Sequence, residues 1–166
     1  MSLTVDVRDL LCEPGASRTV VINEGVPALA TELARIPEER PVAGEFLIES
    51  VVDGLIVSGA IRGTMTLACA RCLEPFESEA RVEVHEPFVA GAAPDADEYP
   101  VADGFADLEP MIRDSIVLAM PFAPLCKPSC LGLCAGCGGN RNLGECRCEQ
   151  EADPRWSALQ DLNVSD

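Results

Sequence analysis

Hydrophobic and polar residues alternate through the middle of the chain, a pattern typical of β-strands with one buried face. The segment 46–52 predicts one strand, and the segment 55–68 predicts a second that returns antiparallel to it. Asp53-Gly54 between them suits a two-residue type I′ hairpin turn. Gly59 and Gly63 predict bulges or bends in the second strand. Its apolar residues fall on odd positions, which places them on one face: Leu55, Val57, Ile61, Met65 and Leu67.

A third predicted strand follows the sequence Cys69-Ala-Arg-Cys72. One of its faces carries mostly apolar residues: Phe76, Ser78, Ala80, Val82 and Val84. The other face is polar and is expected to be exposed: Glu77, Glu79, Arg81, Glu83 and His85. Cys69 and Cys72 are therefore predicted at the tip of a hairpin, where backbone N–H groups of a tight turn can point at their sulfur atoms.

The remaining segments give shorter signals. Residues 3–7 and 18–22 predict short strands with a turn at Pro14-Gly15, and residues 27–40 predict a short helix or a loop. The segment 89–105, rich in Ala, Asp, Gly and Pro, predicts a surface loop.

A helix is predicted from an N-cap at Asp107 to about Met120, because Pro121 must end it. Its apolar stripe is assigned to core packing: Leu108, Met111, Ile112, Ile116 and Ala119. Asp153-Pro154 predicts the start of a short final helix with Trp156, Leu159 and Leu162 facing inward.

Eight of the nine cysteines have the spacing of metal ligands, and only Cys12 stands apart. The candidate ligands are Cys69, Cys72, Cys126, Cys130, Cys134, Cys137, Cys146 and Cys148. Eight thiols are the number that two four-cysteine zinc sites require, and such closed sites are usually structural. Disulfides or redox-active thiols are the alternatives. An odd cysteine count and an N-terminus without a basic and then apolar leader favour metal in a cytoplasmic protein.

The spacing leaves two ways to divide the eight thiols. The favoured one joins the Cys134-x2-Cys137 and Cys146-x-Cys148 pairs in a local site, since only eight residues separate them. Cys69 and Cys72 then join Cys126 and Cys130. The other division groups the four cysteines from 126 to 137 and leaves Cys69 and Cys72 with Cys146 and Cys148. Residues 126–148 contain little apolar material, so metal is expected to organise them.

The elements together predict an α+β fold, a β-rich antiparallel sheet or partial barrel with one long helix and a Cys-rich, zinc-organised C-terminal extension. We place the core domain at residues 1–122, with its helix near 107–120, and the extension at residues 123–166. No apolar run approaches the roughly 18 residues of a membrane-spanning helix.

Acidic residues dominate the charge of the 166-residue chain. Its 28 acidic and 12 basic residues give a net charge of −16. Such a chain lacks the wide basic face that binds phosphate backbones, and it attracts basic proteins instead. Solubility alone is the other explanation of this charge, and composition does not decide between them.

Four segments carry a resemblance to a known family: Cys69-Ala-Arg-Cys-Leu-Glu-Pro-Phe76, Asp114–Pro121, Pro124–Gly138 with its cysteines, and Asp153-Pro-Arg-Trp-x-x-Leu159. Together they resemble the YceD family, whose members are described as large ribosomal RNA subunit accumulation proteins of bacteria and plastids. The resemblance implies a role in biogenesis of the large ribosomal subunit.

From the residues and this resemblance we expect a non-enzymatic zinc protein that binds a large-subunit ribosomal precursor or a basic large-subunit ribosomal protein. Direct contact with ribosomal RNA stays open. No membrane and no small-molecule substrate are expected. The alternative is a thiol-based redox protein or redox-switched chaperone that uses Cys69 and Cys72, although no βαβ thioredoxin pattern surrounds that pair.

Overall fold

The computed structural model describes residues 3–26, 29–37, 39–91, 98–144, 146–148 and 155, and over these ranges the chain is rich in β-strands. One sheet curls into a half-barrel, and one helix longer than two turns accompanies it. The elements in chain order are β1 (Thr4–Asp6), α1 (Arg8–Leu11), β2 (Ser17–Glu24), β3 (Leu29–Ala30), β4 (Ala34–Ile36), β5 (Val42–Val51), β6 (Gly54–Ala68), β7 (Pro75–Ala90), β8 (Tyr99–Ala102), β9 (Phe105–Asp107) and α2 (Glu109–Ala119).

The long strand β6 is the centre of the sheet. It pairs along its whole length with β7, and on its other side with β5 and then β4. The sheet order is β1-β9-β8-β7-β6-β4-β3, with β2 joined through β5. Among the described residues, every ladder is antiparallel except the short one between β7 and β8. The predicted antiparallel sheet is confirmed for the three central strands β5, β6 and β7.

The predicted faces of β6 and β7 are also confirmed. The odd-numbered apolar residues of β6 are buried, as are the apolar residues Phe46 and Ile48 of β5. Helix α2 contacts β7 and closes the core with Met111, Ile112 and Ile116. Ala119 is exposed, however, and Met120 is buried in its place. The extended backbone of Met120 after the helix end accounts for this difference, because it takes that residue off the helical repeat.

The N-terminal boundary of α2 differs slightly from the prediction. Helical geometry begins after Leu108, one residue later than an Asp107 cap implies. The Asp107 carboxylate nevertheless accepts a hydrogen bond of 3.1 Å from the Glu109 N–H. It thereby satisfies one of the free donors that every helix N-terminus leaves.

Two segments predicted as loop or helix are in fact strands. Residues 29–36 contain β3 and β4, and β4 pairs with the far end of β6. The segment predicted as a loop between residues 89 and 105 contains β8 and the start of β9. These strands are two to four residues long, too short for a hydrophobic period. They exist because a neighbouring strand supplies their hydrogen bonds.

The predicted turn at Asp53-Gly54 and the predicted bulge at Gly59 were wrong. Val51 pairs with Gly54, so the two loop residues are Val52 and Asp53, and neither has the positive φ that a type I′ turn requires. The ladders of β6 run unbroken through Gly59. A Cβ atom at Gly59 would lie 2.2 Å from the carbonyl oxygen of Glu45. Close approach of a neighbouring strand, rather than a bulge, requires glycine there.

Candidate metal centre

The hairpin between β6 and β7 presents the first pair of cysteines at its tip, as predicted. The Cys69 N–H donates to the carbonyl of Glu74 at 3.0 Å, and the Leu73 N–H donates to the carbonyl of Cys69 at 2.8 Å. Leu73 has φ of 62°, a left-handed conformation that non-glycine residues rarely adopt. The tight turn therefore stores some backbone strain at the point where both thiols are displayed.

The segment that follows α2 lies against this tip. The Ala70 N–H donates to the carbonyl of Pro124 at 2.8 Å, and the Leu133 N–H donates to the carbonyl of Arg71 at 2.9 Å. These two bonds flank Cys126 and Cys130 in the chain. They hold the second pair of cysteines against the first.

The four thiols of this first cluster have the separations of a tetrahedral metal site. Cys69 Sγ lies 3.8 Å from Cys130 Sγ, and Cys72 Sγ lies 3.8 Å from Cys126 Sγ. All four sulfur atoms lie within 4.8 Å of one another. Four ligands at about 2.3 Å from a central zinc would be about 3.8 Å apart, whereas a disulfide bond is about 2.05 Å long. The donor set and these distances therefore fit a zinc ion better than a disulfide.

Apolar packing surrounds the first cluster. Cys69, Cys72 and Cys130 are buried, with Phe76 and Leu125 packed against them, while Cys126 is exposed. The cluster thus forms a small second core at the end of the sheet. It joins residues that are 54 and 61 positions apart in the chain.

The second cluster contains Cys134, Cys137, Cys146 and Cys148. Cys137 Sγ lies 3.7 Å from Cys146 Sγ, and the four sulfur atoms again lie within 4.8 Å of one another. Cys134 is its buried member, whereas Cys137 and Cys148 are exposed. This grouping is the favoured one of the two divisions that the spacing allowed.

Asn142 links the two clusters and was missed by the sequence reasoning. It lies in a 3₁₀ turn, Arg141–Leu143, within the loop of the second cluster. Its side-chain amide donates to Cys130 Sγ of the first cluster at 3.4 Å, and its oxygen accepts from the Leu131 N–H at 3.0 Å. Asparagine is a common turn residue, so nothing in the sequence distinguishes Asn142 from an ordinary loop residue.

Hydrogen bonding tunes the thiols unequally. The backbone N–H of Cys126 lowers the pKa of Cys69 to about 6, and the backbone N–H of Cys137 lowers that of Cys134 to about 6. The neighbouring Cys137 thiol raises the pKa of Cys148 to about 12. Thiols this close repel each other as thiolates, so all four in a cluster ionise together only around a cation.

Other candidate residues lie outside both clusters. Cys12 is an exposed free thiol. Arg71, which lies between two ligands, donates to the backbone carbonyl of Cys130 at 3.0 Å rather than to a sulfur atom. His85 is exposed, as predicted, and its Nδ1 lies 2.8 Å from the Ser58 hydroxyl on the open face of the sheet. The predicted C-terminal helix lies outside the described residues, apart from Arg155.

Comparison with known proteins identifies relatives across most of the chain. A family model described as "Large ribosomal RNA subunit accumulation protein YceD" matches residues 57–163. An uncharacterized protein of Mycobacterium tuberculosis is 33% identical over an alignment that covers 96% of this chain and 81% of that protein. An uncharacterized protein of Mycobacterium leprae is 30% identical, with 97% and 77% covered.

A maize protein named "Large ribosomal RNA subunit accumulation protein YCED homolog 1, chloroplastic" is 30% identical over 129 residues, with 57% of this chain and 44% of the maize protein covered. No solved structure matches the chain. None of the helices in the described ranges is long and apolar enough to cross a membrane.

Proposed function

Because the chain belongs to the YceD family of large ribosomal RNA subunit accumulation proteins, we propose that it is a non-enzymatic, zinc-binding accessory protein in biogenesis of the large ribosomal subunit. Its role would be to support accumulation of large-subunit ribosomal RNA in the cytoplasm. The family name supports the pathway, and the two thiol clusters support the molecular class.

The observation that carries the molecular class is the pair of closed four-thiol clusters. Cys69, Cys72, Cys126 and Cys130 would hold one zinc ion, and Cys134, Cys137, Cys146 and Cys148 would hold the other. With four protein ligands a zinc ion has no open position for water or substrate. Its contribution is a cross-link that fixes the post-helix segment on the hairpin tip.

The charge of the chain supports a basic protein as the partner. A net charge of −16 disfavours a phosphate backbone as the principal ligand and favours a basic large-subunit ribosomal protein, alone or within a precursor particle. Direct contact with ribosomal RNA is not part of the proposal.

Metal analysis tests the zinc assignment. Protein purified without oxygen should contain two zinc ions per chain, and chelation should expose the eight clustered thiols to a thiol reagent. Cys12→Ser should keep both zinc ions, whereas Cys69→Ser should retain one. Protein without bound zinc and with reactive Cys69 and Cys72 would instead favour the redox protein or redox-switched chaperone.

The pathway is tested in cells that lack the endogenous protein. The wild-type chain and Cys12→Ser should restore the ratio of large-subunit to small-subunit ribosomal RNA, and a Cys69→Ser/Cys72→Ser variant should not. Equal restoration by all three chains would contradict a functional role for the first cluster. A normal RNA ratio without the protein would contradict the pathway.

Partner choice is tested by comparing affinities for basic large-subunit ribosomal proteins and for naked large-subunit RNA at two salt concentrations. Protein binding should be tighter and should weaken as salt rises, since exposed charges are screened over about 8 Å at physiological ionic strength. Tight, sequence-selective RNA binding without any protein partner would contradict this choice.

A further inference from the structure

Strand β7 has a long edge that is left open among the described residues. Its inner side pairs with β6 from Pro75 to Val89. Its outer side pairs with β8 only at Phe88–Ala90. Within the described ranges, no turn or loop donates a backbone hydrogen bond to residues 76–86 or accepts one from them. Unpaired N–H and C=O groups along a strand edge are a template for another strand.

The hydrogen-bond pattern shows which residues offer these groups. The Cys69 N–H bonds to the Glu74 carbonyl, so this pair faces inward, and antiparallel ladders repeat that pattern at every second residue. The N–H of Ala68, the residue before Cys69, instead bonds to the Leu33 carbonyl on the opposite side of β6. Both bonds show that the odd-numbered residues of β6 direct their backbone groups towards β7. The odd residues of β7 therefore direct N–H and C=O outward: Glu77, Glu79, Arg81, Glu83 and His85.

All five of these residues have exposed side chains. Three of them are acidic. Glu77 is paired with Arg40 and Glu83 lies 3.4 Å from Arg81, whereas Glu79 is in neither ion pair. The opposite face of the edge is apolar but incompletely covered, since Phe76, Ala80 and Val82 are only half-buried. The outer edge of β7 thus combines open backbone groups with acidic side chains on one face and partly exposed apolar side chains on the other.

We propose that the edge Glu77–His85 docks an extended basic segment of a partner protein, which adds to the sheet as a strand. The nine residues span about 27 Å. The segment would carry Lys or Arg opposite the glutamates and an uncharged residue opposite Arg81. Between these it would carry apolar residues, which would cover the half-buried side chains of Phe76, Ala80 and Val82. Backbone bonds would give affinity and the alternating side chains would give specificity. This inference rests on the proposed function for the identity of the partner as a basic large-subunit ribosomal protein.

Charge argues against a second copy of this chain as the occupant. Two β7 edges side by side would bring their glutamate rows together, and like charges opposite each other on a sheet are destabilising. A basic strand has the reverse effect, because its cations would lie opposite the carboxylates of Glu77, Glu79 and Glu83. A dimer that Glu79→Pro dissociates would therefore overturn the assignment.

The experiment measures binding of a labelled nine-residue peptide, alternating lysine with valine and carrying serine at its centre, to the zinc-loaded protein by fluorescence anisotropy. Two control peptides contain the same residues. The first groups the lysines and valines in blocks. The second keeps the alternating order but is N-methylated at the lysine backbone amides that would bond to β7. The alternating peptide should bind, more weakly as salt rises. The methylated one should bind at least about tenfold more weakly, since several backbone bonds are lost.

Matched protein variants locate the site. Glu79→Pro removes an outward N–H without breaking the ladder with β6. Proline already occupies two other odd-numbered positions of β7, Pro75 and Pro87, whose backbone groups also face outward. It should weaken binding about tenfold or more, and Glu79→Gln, which keeps the N–H, should weaken it less. Glu45→Gln removes an exposed charge from the same sheet face, on β5, which is paired on both sides. It should leave affinity close to that of the wild type.

Three results would overturn the proposal: no binding of the alternating peptide, equal binding of the methylated peptide, or equal weakening by Glu45→Gln and Glu79→Gln. Loss of the sheet signal in circular dichroism of Glu79→Pro would also contradict it, because that N–H would then be needed within the fold. None of these results bears on zinc content or on ribosomal RNA levels, so the proposed function can stand or fall separately.

Discussion

Replacement of one ligand in each cluster should separate a global cross-link from a local one. Cys69 and Cys130 are 61 positions apart, whereas Cys137 and Cys146 are 9 apart. By the loop-entropy relation for cross-links, closing these loops constrains the unfolded chain by about 4 and about 2.5 kcal/mol, respectively. Cys69 is also fully buried, so a serine hydroxyl there would add about 1–3 kcal/mol if it found no partner.

We therefore expect Cys69→Ser to lower the free energy of unfolding by at least about 2 kcal/mol more than Cys146→Ser does. Urea unfolding of zinc-loaded protein under reducing conditions, followed by the far-ultraviolet circular dichroism of the sheet, measures this difference. Cys12→Ser is the matched control, because Cys12 is an exposed thiol outside both clusters. Its unfolding curve should superimpose on that of the wild type.

Equal loss of stability in both ligand variants, or a larger loss in Cys146→Ser, would refute the distinction between a global and a local cross-link. Either result would mean that the second cluster, despite its exposed cysteines, contributes as much to the β-sheet as the first. The zinc content of each variant should be measured in the same samples, so that loss of one ion can be distinguished from loss of both.

Three further predictions concern single residues. Asn142→Ala should weaken zinc affinity of the first cluster 10- to 100-fold in a chelator competition, and unchanged affinity would contradict its linking role. Gly59→Ala should destabilise the sheet by about 2–3 kcal/mol, whereas Gly63→Ala, whose Cβ would meet its nearest neighbour at 3.5 Å, should cost little in the same thermal melts. Tyr99, the only tyrosine, should ionise near pH 12, since burial and its 3.1 Å bond to Asp114 raise its pKa to about 12. Its stabilising contribution is therefore present below pH 10 and lost as pH rises towards 12, and Asp114→Asn should lower the midpoint of the phenolate absorbance titration.

The sequence determined the central hairpins and their faces. Long strands with strict alternation carry their own signal, because a period of two fixes which residues meet the core. The eight candidate ligands were visible for a related reason: clustered thiols at short spacing have few structural roles in a chain of this composition. The position of Cys69 and Cys72 at a hairpin tip followed from the two strands on either side.

Tertiary structure decided the features that depend on partners distant in the chain. The strands β3, β4, β8 and β9 are too short to show a period, and they form because β6, β7 or another short strand offers hydrogen-bonding groups. The division of the thiols was open until the hairpin tip met the segment after α2 through the bonds at Ala70 and Leu133. The linking amide of Asn142 and the open edge of β7 are likewise invisible in a sequence, because each depends on which distant groups lie within hydrogen-bonding distance.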